Sequence, residues 1–76
     1  MGVALPDLAL AGTKIKALRR QQGLSANALS RLSGVARATI LNIESGRSIT
    51  PRADVLLGLA RVLGVTVEWL ASDTAV

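Results

Sequence analysis

Cysteine and histidine are both missing from this chain. Without cysteine there is no disulfide and no thiolate metal site. Without histidine the commonest general base and the usual imidazole ligand of zinc are gone too. Five carboxylates remain, scattered along the chain, and no glycine-rich phosphate loop accompanies them. That leaves no acid–base pair and no metal site, so neither an enzyme nor a cofactor is expected. Phenylalanine and tyrosine are absent as well, and Trp69 is the sole aromatic residue. The core must come from Leu, Ile, Val and Ala, which suits close-packed helices. No segment approaches the length of about 20 uninterrupted apolar residues that spans a bilayer. The opening "MGVALPDLALAG" is broken by Pro6 and Asp7 and lacks the basic start of a signal peptide. A soluble, cytoplasmic protein with no membrane partner is expected.

What is present is 76 residues, enough for one small domain, and half of them are hydrophobic. Nine Lys/Arg against five Asp/Glu leave a charge of +4, which favours a polyanionic partner.

Gly, Ser, Thr and Pro divide the chain into five short helical segments, and no two-residue alternation marks a strand. The first starts between Asp7 and Thr13, with Thr13 a possible cap, turns Ile15 and Leu18 inward, and ends at Gly23. Residues 1–12 read as an arm or an extra helical turn. The second is capped by Ser25, carries Leu29 and Leu32 as its apolar positions and closes at Gly34. The third runs from Ala36 to Glu44 and stops at Ser45–Gly46. Thr50 as cap and Pro51 as first residue open the fourth, which ends at Gly64. Thr66 caps a fifth within "VTVEWL", where Val65 can staple to Leu70. The domain therefore covers 13–71, with 72–76 as a tail.

Ile40, Ile43, Leu18, Leu29, Leu56, Ala60 and Leu63 read as core, covered by Trp69 from the fifth helix. Lys14, Lys16, Arg20 and Arg61 read as surface charges. In the fourth helix Ala53, Leu56, Leu57, Ala60 and Leu63 can form an inner stripe. Val55, Gly58 and Val62 then fall opposite, as a second apolar stripe suited to self-association through this helix, the fifth or the arm.

The third helix is barely two turns long and unstable alone, so packing through Ile40 and Ile43 must hold it. Its other side carries Arg37, Ala38, Leu41 and Asn42. Arg37 can donate two hydrogen bonds to guanine or bind phosphate, Asn42 can pair with adenine, and Ala38 and Leu41 suit a thymine methyl. A short glycine-containing turn joins it to the second helix, which is helix-turn-helix spacing. Ser30 is small where those two helices approach.

The ordered set "LRRQQGLS", "LSRLSGV", "IESG", a Pro-started helix and "LGVTVEWL" resembles the Xre-type, phage repressor and Cro-like, helix-turn-helix family over Ile15 to Leu70. The resemblance implies an all-α, compact five-helix lambda-repressor-like domain with helices two and three as the helix-turn-helix. It implies a transcriptional regulator, a repressor that binds a palindromic operator on double-stranded DNA as a homodimer, with recognition helix 37–44 in the major groove. Arg37, Ala38, Leu41 and Asn42 would face bases. Ser25, Thr39, Arg47, Ser48, Thr50 and Arg52 would meet the DNA backbone, Ser25 together with the amides that open helix two. Arg19 and Glu44 match positions that form a structural ion pair. Three positions depart from the family pattern: Ala26 stands where many members have Gln, Ala36 where a Ser or Thr caps, and Ser45 where Asn is usual. An alternative keeps the fold and makes the chain a protein-interaction module, such as an antitoxin paired with a small toxin. It ranks lower because no long disordered tail is available to wrap a partner.

Overall fold

The computed structural model describes residues 9–48 and 51–72. Within them the chain forms α1 (Ala9–Gln21), α2 (Ala26–Ser33), α3 (Arg37–Glu44), α4 (Ala53–Leu63) and α5 (Val67–Ala71), with no strand. The all-α, five-helix fold class expected from the sequence is what the chain adopts. Residues 1–8, including Pro6 and Asp7, lie outside the described residues, as does Thr50.

Glycine ends three helices for a backbone reason. At Gly23 (φ 71°) and Gly64 (φ 78°) the chain turns left-handed, which a side chain disfavours. The next amide reaches back five residues in each case, Leu24 to the Arg19 carbonyl at 2.9 Å and Val65 to that of Ala60 at 3.1 Å. Gly34 (φ 76°) closes α2 by donating to the Ser30 carbonyl. Ser25 and Thr66 cap α2 and α5, accepting from the Ala28 and Trp69 amides at 3.0 Å each.

Every helix contributes to one core. Ala11, Ile15, Leu29, Val35, Ile40, Ile43, Leu56, Leu59, Ala60, Leu63 and Leu70 are buried in it. Leu18, Leu24, Val55, Val62, Val65, Val67 and Trp69 pack around its edge. α3 is wedged between α1 and α2, α4 closes over α2, and α5 bridges α1 and α4. Gly12 makes the α1–α3 crossing possible. A Cβ there would run into the Ile43 carbonyl oxygen and lie 3.3 Å from Glu44 Cα.

The structure departs from the sequence expectations at several positions. Thr13 is an exposed residue inside α1 rather than its cap. α4 begins at Ala53, not at Pro51. Arg52 is still extended (φ −65°, ψ 151°) and its carbonyl accepts the first helical bond, from Leu56 N at 3.1 Å. Asp54 sits in the first turn, where a carboxylate complements the helix dipole. Leu32 is 62% exposed instead of packed inward.

The rotation of α4 also differs. Leu59, omitted from the expected stripe, is fully buried, whereas Leu57 is 50% exposed and Ala53 is exposed. Val55 and Val62 pack on the core, so the second apolar stripe is not free surface. Leu and Val occur all around this helix, so apolarity alone left its phase open. Gly58 sets it, because a Cβ there would lie 3.1 Å from the Ser33 carbonyl oxygen, and α2 therefore packs against that side.

Lys14 is the largest departure. Read as a surface charge, it is 1% exposed. Its ammonium donates to the Trp69 carbonyl at 2.7 Å, the Ser72 carbonyl at 2.9 Å and Ser72 Oγ at 3.0 Å. It also lies 4.6 Å from the centre of the Trp69 ring. The carbonyls ending α5 are the negative end of that helix, so a buried cation is accommodated there.

Candidate nucleic-acid interface

The α2–turn–α3 unit is braced by serine hydroxyls. Ser30 Oγ donates to the Val35 carbonyl at 2.6 Å, closing the turn from the α2 side. Ser33 Oγ donates to the Leu29 carbonyl at 2.6 Å and accepts from Val35 N at 3.2 Å. Val35 fills the space beneath the turn and is itself buried. α3 receives no side-chain cap from Ala36. Its orientation comes from packing, with Ile40 and Ile43 buried against α1 and α2.

That burial decides what is left outside. Arg37, Ala38 and Asn42 are exposed, Leu41 and Thr39 half-buried. Arg37, Ala38, Leu41 and Asn42 share the α3 face opposite Ile40 and Ile43, as a 100° winding requires. Ser25 is exposed at the start of α2, where its backbone amides also open outward.

Beyond α3 the chain folds back on the helix. Ser45 N donates to the Leu41 carbonyl at 3.0 Å, and both Ser48 N and Ser45 Oγ donate to the Asn42 carbonyl at 3.1 Å. Gly46, at φ 82°, provides the reversal. Arg47 projects from this loop exposed, and Ser48 is half-buried. Arg52 is exposed and makes one long ion pair, 3.4 Å from Nε to Asp54 Oδ1, with both side chains mostly in solvent.

Glu44 is the only acidic residue on α3, and its charge is withdrawn from the surface. Its side chain is 4% exposed, and Arg19 grips it with Nε to Oε2 at 2.8 Å and Nη2 to Oε1 at 3.0 Å. The third guanidinium arm donates to the Leu24 carbonyl at 2.9 Å. The hydrogen bond to Glu44 pushes the Arg19 pKa up, against the opposing effect of burial. α1, the α1–α2 turn and the end of α3 are thereby locked together, and the surface beside α3 keeps its positive balance.

Lys14, Gly12 and the Ser30–Ser33 brace are structural determinants that the sequence did not reveal. The acceptors of Lys14 lie 55 and 58 residues away, beyond any local pattern. Gly12 carried a local hint, a glycine inside a helix, where it is normally unfavourable unless close packing demands it. Among the described residues no group of three acidic, histidine or cysteine side chains gathers to hold a metal ion. Nor is any described helix long and apolar enough to cross a membrane.

A family model described as Helix-turn-helix matches residues 15–70. The chain is 40% identical over 57 residues to an uncharacterized HTH-type transcriptional regulator, RghRB, of Bacillus subtilis (strain 168), covering 75% of this chain and 41% of that protein. It is 36% identical over 59 residues to the HTH-type transcriptional repressor RghR of the same organism, covering 78% of this chain and 44% of RghR. It thus spans less than half the length of these curated relatives. Among solved structures, the biofilm master regulator SinR in complex with DNA superposes with a TM-score of 0.78 at 31% identity. That match covers 82% of this chain and 98% of the SinR chain.

Proposed function

Because the chain belongs to the Xre-type helix-turn-helix family, we propose that it is a sequence-specific DNA-binding regulator, a repressor that occupies a palindromic operator as a homodimer. The observation that carries this reading is the exposed Arg37–Ala38–Asn42 face of α3, held outward by the burial of Ile40 and Ile43. RghR is named a repressor and SinR was solved bound to DNA; both support the assignment.

In this reading α3 enters the major groove. Arg37 donates to a guanine edge, Asn42 pairs with adenine, and Ala38 and Leu41 pack on thymine methyls. Ser25 and the first amides of α2 receive one phosphate. Thr39 and the stretch Arg47, Ser48, Thr50 and Arg52 track the backbone, fixing register without reading sequence. Two copies place their recognition helices about 34–36 Å apart, one turn of DNA. Occupancy of promoter DNA in the cytoplasm then blocks transcription.

Selection of bound duplexes from a random pool tests the reading. A consensus with two-fold symmetry and half-sites about 10–10.5 bp apart is expected. Recovery of unenriched sequence would overturn it.

A further inference from the structure

Three large hydrophobic side chains are exposed among the described residues: Leu10, Leu32 and Leu57. Only Leu57 has a charge of each sign one helical turn away on its own helix, Asp54 three residues before and Arg61 four after. Asp54 and Arg61 are both exposed. At 1.5 Å per residue they stand about 10 Å apart along the axis, too far to pair with each other. Residues three and four apart lie on one side of a helix, so the three make a single stripe, acid–leucine–base. The buried side of α4 is already used by Leu56, Leu59, Ala60 and Leu63.

Such a stripe is complementary to itself when reversed. The geometry points to a second copy of this chain as its occupant, docked with α4 antiparallel to α4 about a two-fold axis near Leu57. The two Leu57 side chains then cover each other. Asp54 meets Arg61 of the partner subunit, and Arg61 meets Asp54 of the partner subunit. A two-fold contact repeats every interaction twice, which is why one leucine and two charges per copy suffice to specify it. Asp54 also has Arg52 within 3.4 Å, with both side chains mostly in solvent; an exposed pair of that kind is readily exchanged. The patch is small against the roughly 1,200 Å² of a stable interface, so association without DNA is weak.

This inference rests on the homodimer reading above and names the surface that makes the dimer. Sedimentation equilibrium of the DNA-free chain over a concentration series, with circular dichroism to verify folding, tests it. The parent chain is expected to approach dimer mass. Leu57→Glu, at an exposed position outside the DNA face, is expected to weaken association by at least about tenfold. Asp54→Arg and Arg61→Asp are each expected to weaken it, and the doubly exchanged chain to recover it. Dimerisation untouched by Leu57→Glu and by the charge reversals would overturn this surface while leaving the homodimer reading standing. A chain that stays monomeric both free and on operator DNA would overturn both.

Discussion

Removing Arg19 is the most informative single change to the fold. The Glu44 side chain is 4% exposed, and its two hydrogen-bond donors are Nε and Nη2 of Arg19, at 2.8 and 3.0 Å. Arg19→Met keeps the packing stem but strands that carboxylate and leaves the Leu24 carbonyl without its donor. Breaking a buried pair from one side costs about 3–5 kcal/mol. A domain of this size has about 4–11 kcal/mol in total, at the usual stability per residue. The variant is therefore expected to lose roughly a quarter or more of its stability.

Removing both charges behaves differently. Arg19→Met with Glu44→Met places apolar side chains together where the pair stood, and such exchanges are often neutral or better. The double variant is expected to be more stable than Arg19→Met alone, with a coupling of about 2 kcal/mol or more. Urea unfolding followed by circular dichroism, with the slope held common, measures all three. A cost below about 1 kcal/mol for Arg19→Met, or a double variant costing the sum of its singles, would refute the reasoning. The raised Arg19 pKa has a definite sign for stability. Its contribution is complete below the ordinary guanidinium value and disappears only as pH climbs past it. The cation's side of the pair therefore loses nothing across the neutral and mildly alkaline range.

Other outcomes follow from the same contacts. Gly12→Ala forces a methyl into the Ile43 carbonyl and is expected to cost about 1–3 kcal/mol in urea unfolding, by prising α1 from α3. Lys14→Met removes the three hydrogen bonds that the ammonium donates to the Trp69 and Ser72 oxygens, although the Trp69 carbonyl keeps its bonds from Ser72 N and Oγ. A loss of about 2 kcal/mol is expected, with a shift in Trp69 fluorescence, and unchanged emission would contradict the latch. On operator DNA, Asn42→Ala is expected to relax preference at one base position per half-site. Arg52→Ala is expected to weaken all sequences alike and to lower the salt slope by about one per protomer. Equal loss on every sequence for Asn42→Ala would remove its reading role.

The parts of the fold legible in sequence were those with local chemistry. Ser25 and Thr66 cap through their own hydroxyls, and Gly23, Gly34 and Gly64 turn where side chains disfavour the backbone. Those signals set the starts of α2 and α5 and the ends of α1, α2 and α4, whereas the start of α1 was bracketed only loosely and that of α4 was misplaced. Packing phase was less legible. In α4 leucine and valine occupy nearly every side, so the true inward direction, set by Gly58 against the Ser33 carbonyl, differed from the expected one. Lys14 was illegible because its acceptors are carbonyls at the far end of the chain, and nothing near it in sequence announces them. At the candidate interface the outward face of α3 followed from the burial of two isoleucines. The serine brace under the turn did not, since hydroxyls that bond backbone look the same in sequence as those that meet water.

The central proposal is that α3 is the surface that meets DNA. Amide chemical-shift mapping of the isotopically labelled chain, titrated with its selected operator duplex, tests this most directly. The largest changes are expected in Arg37–Glu44 and at the Ser25 end of α2. Large changes confined to α4 and α5, with α3 silent, would contradict it.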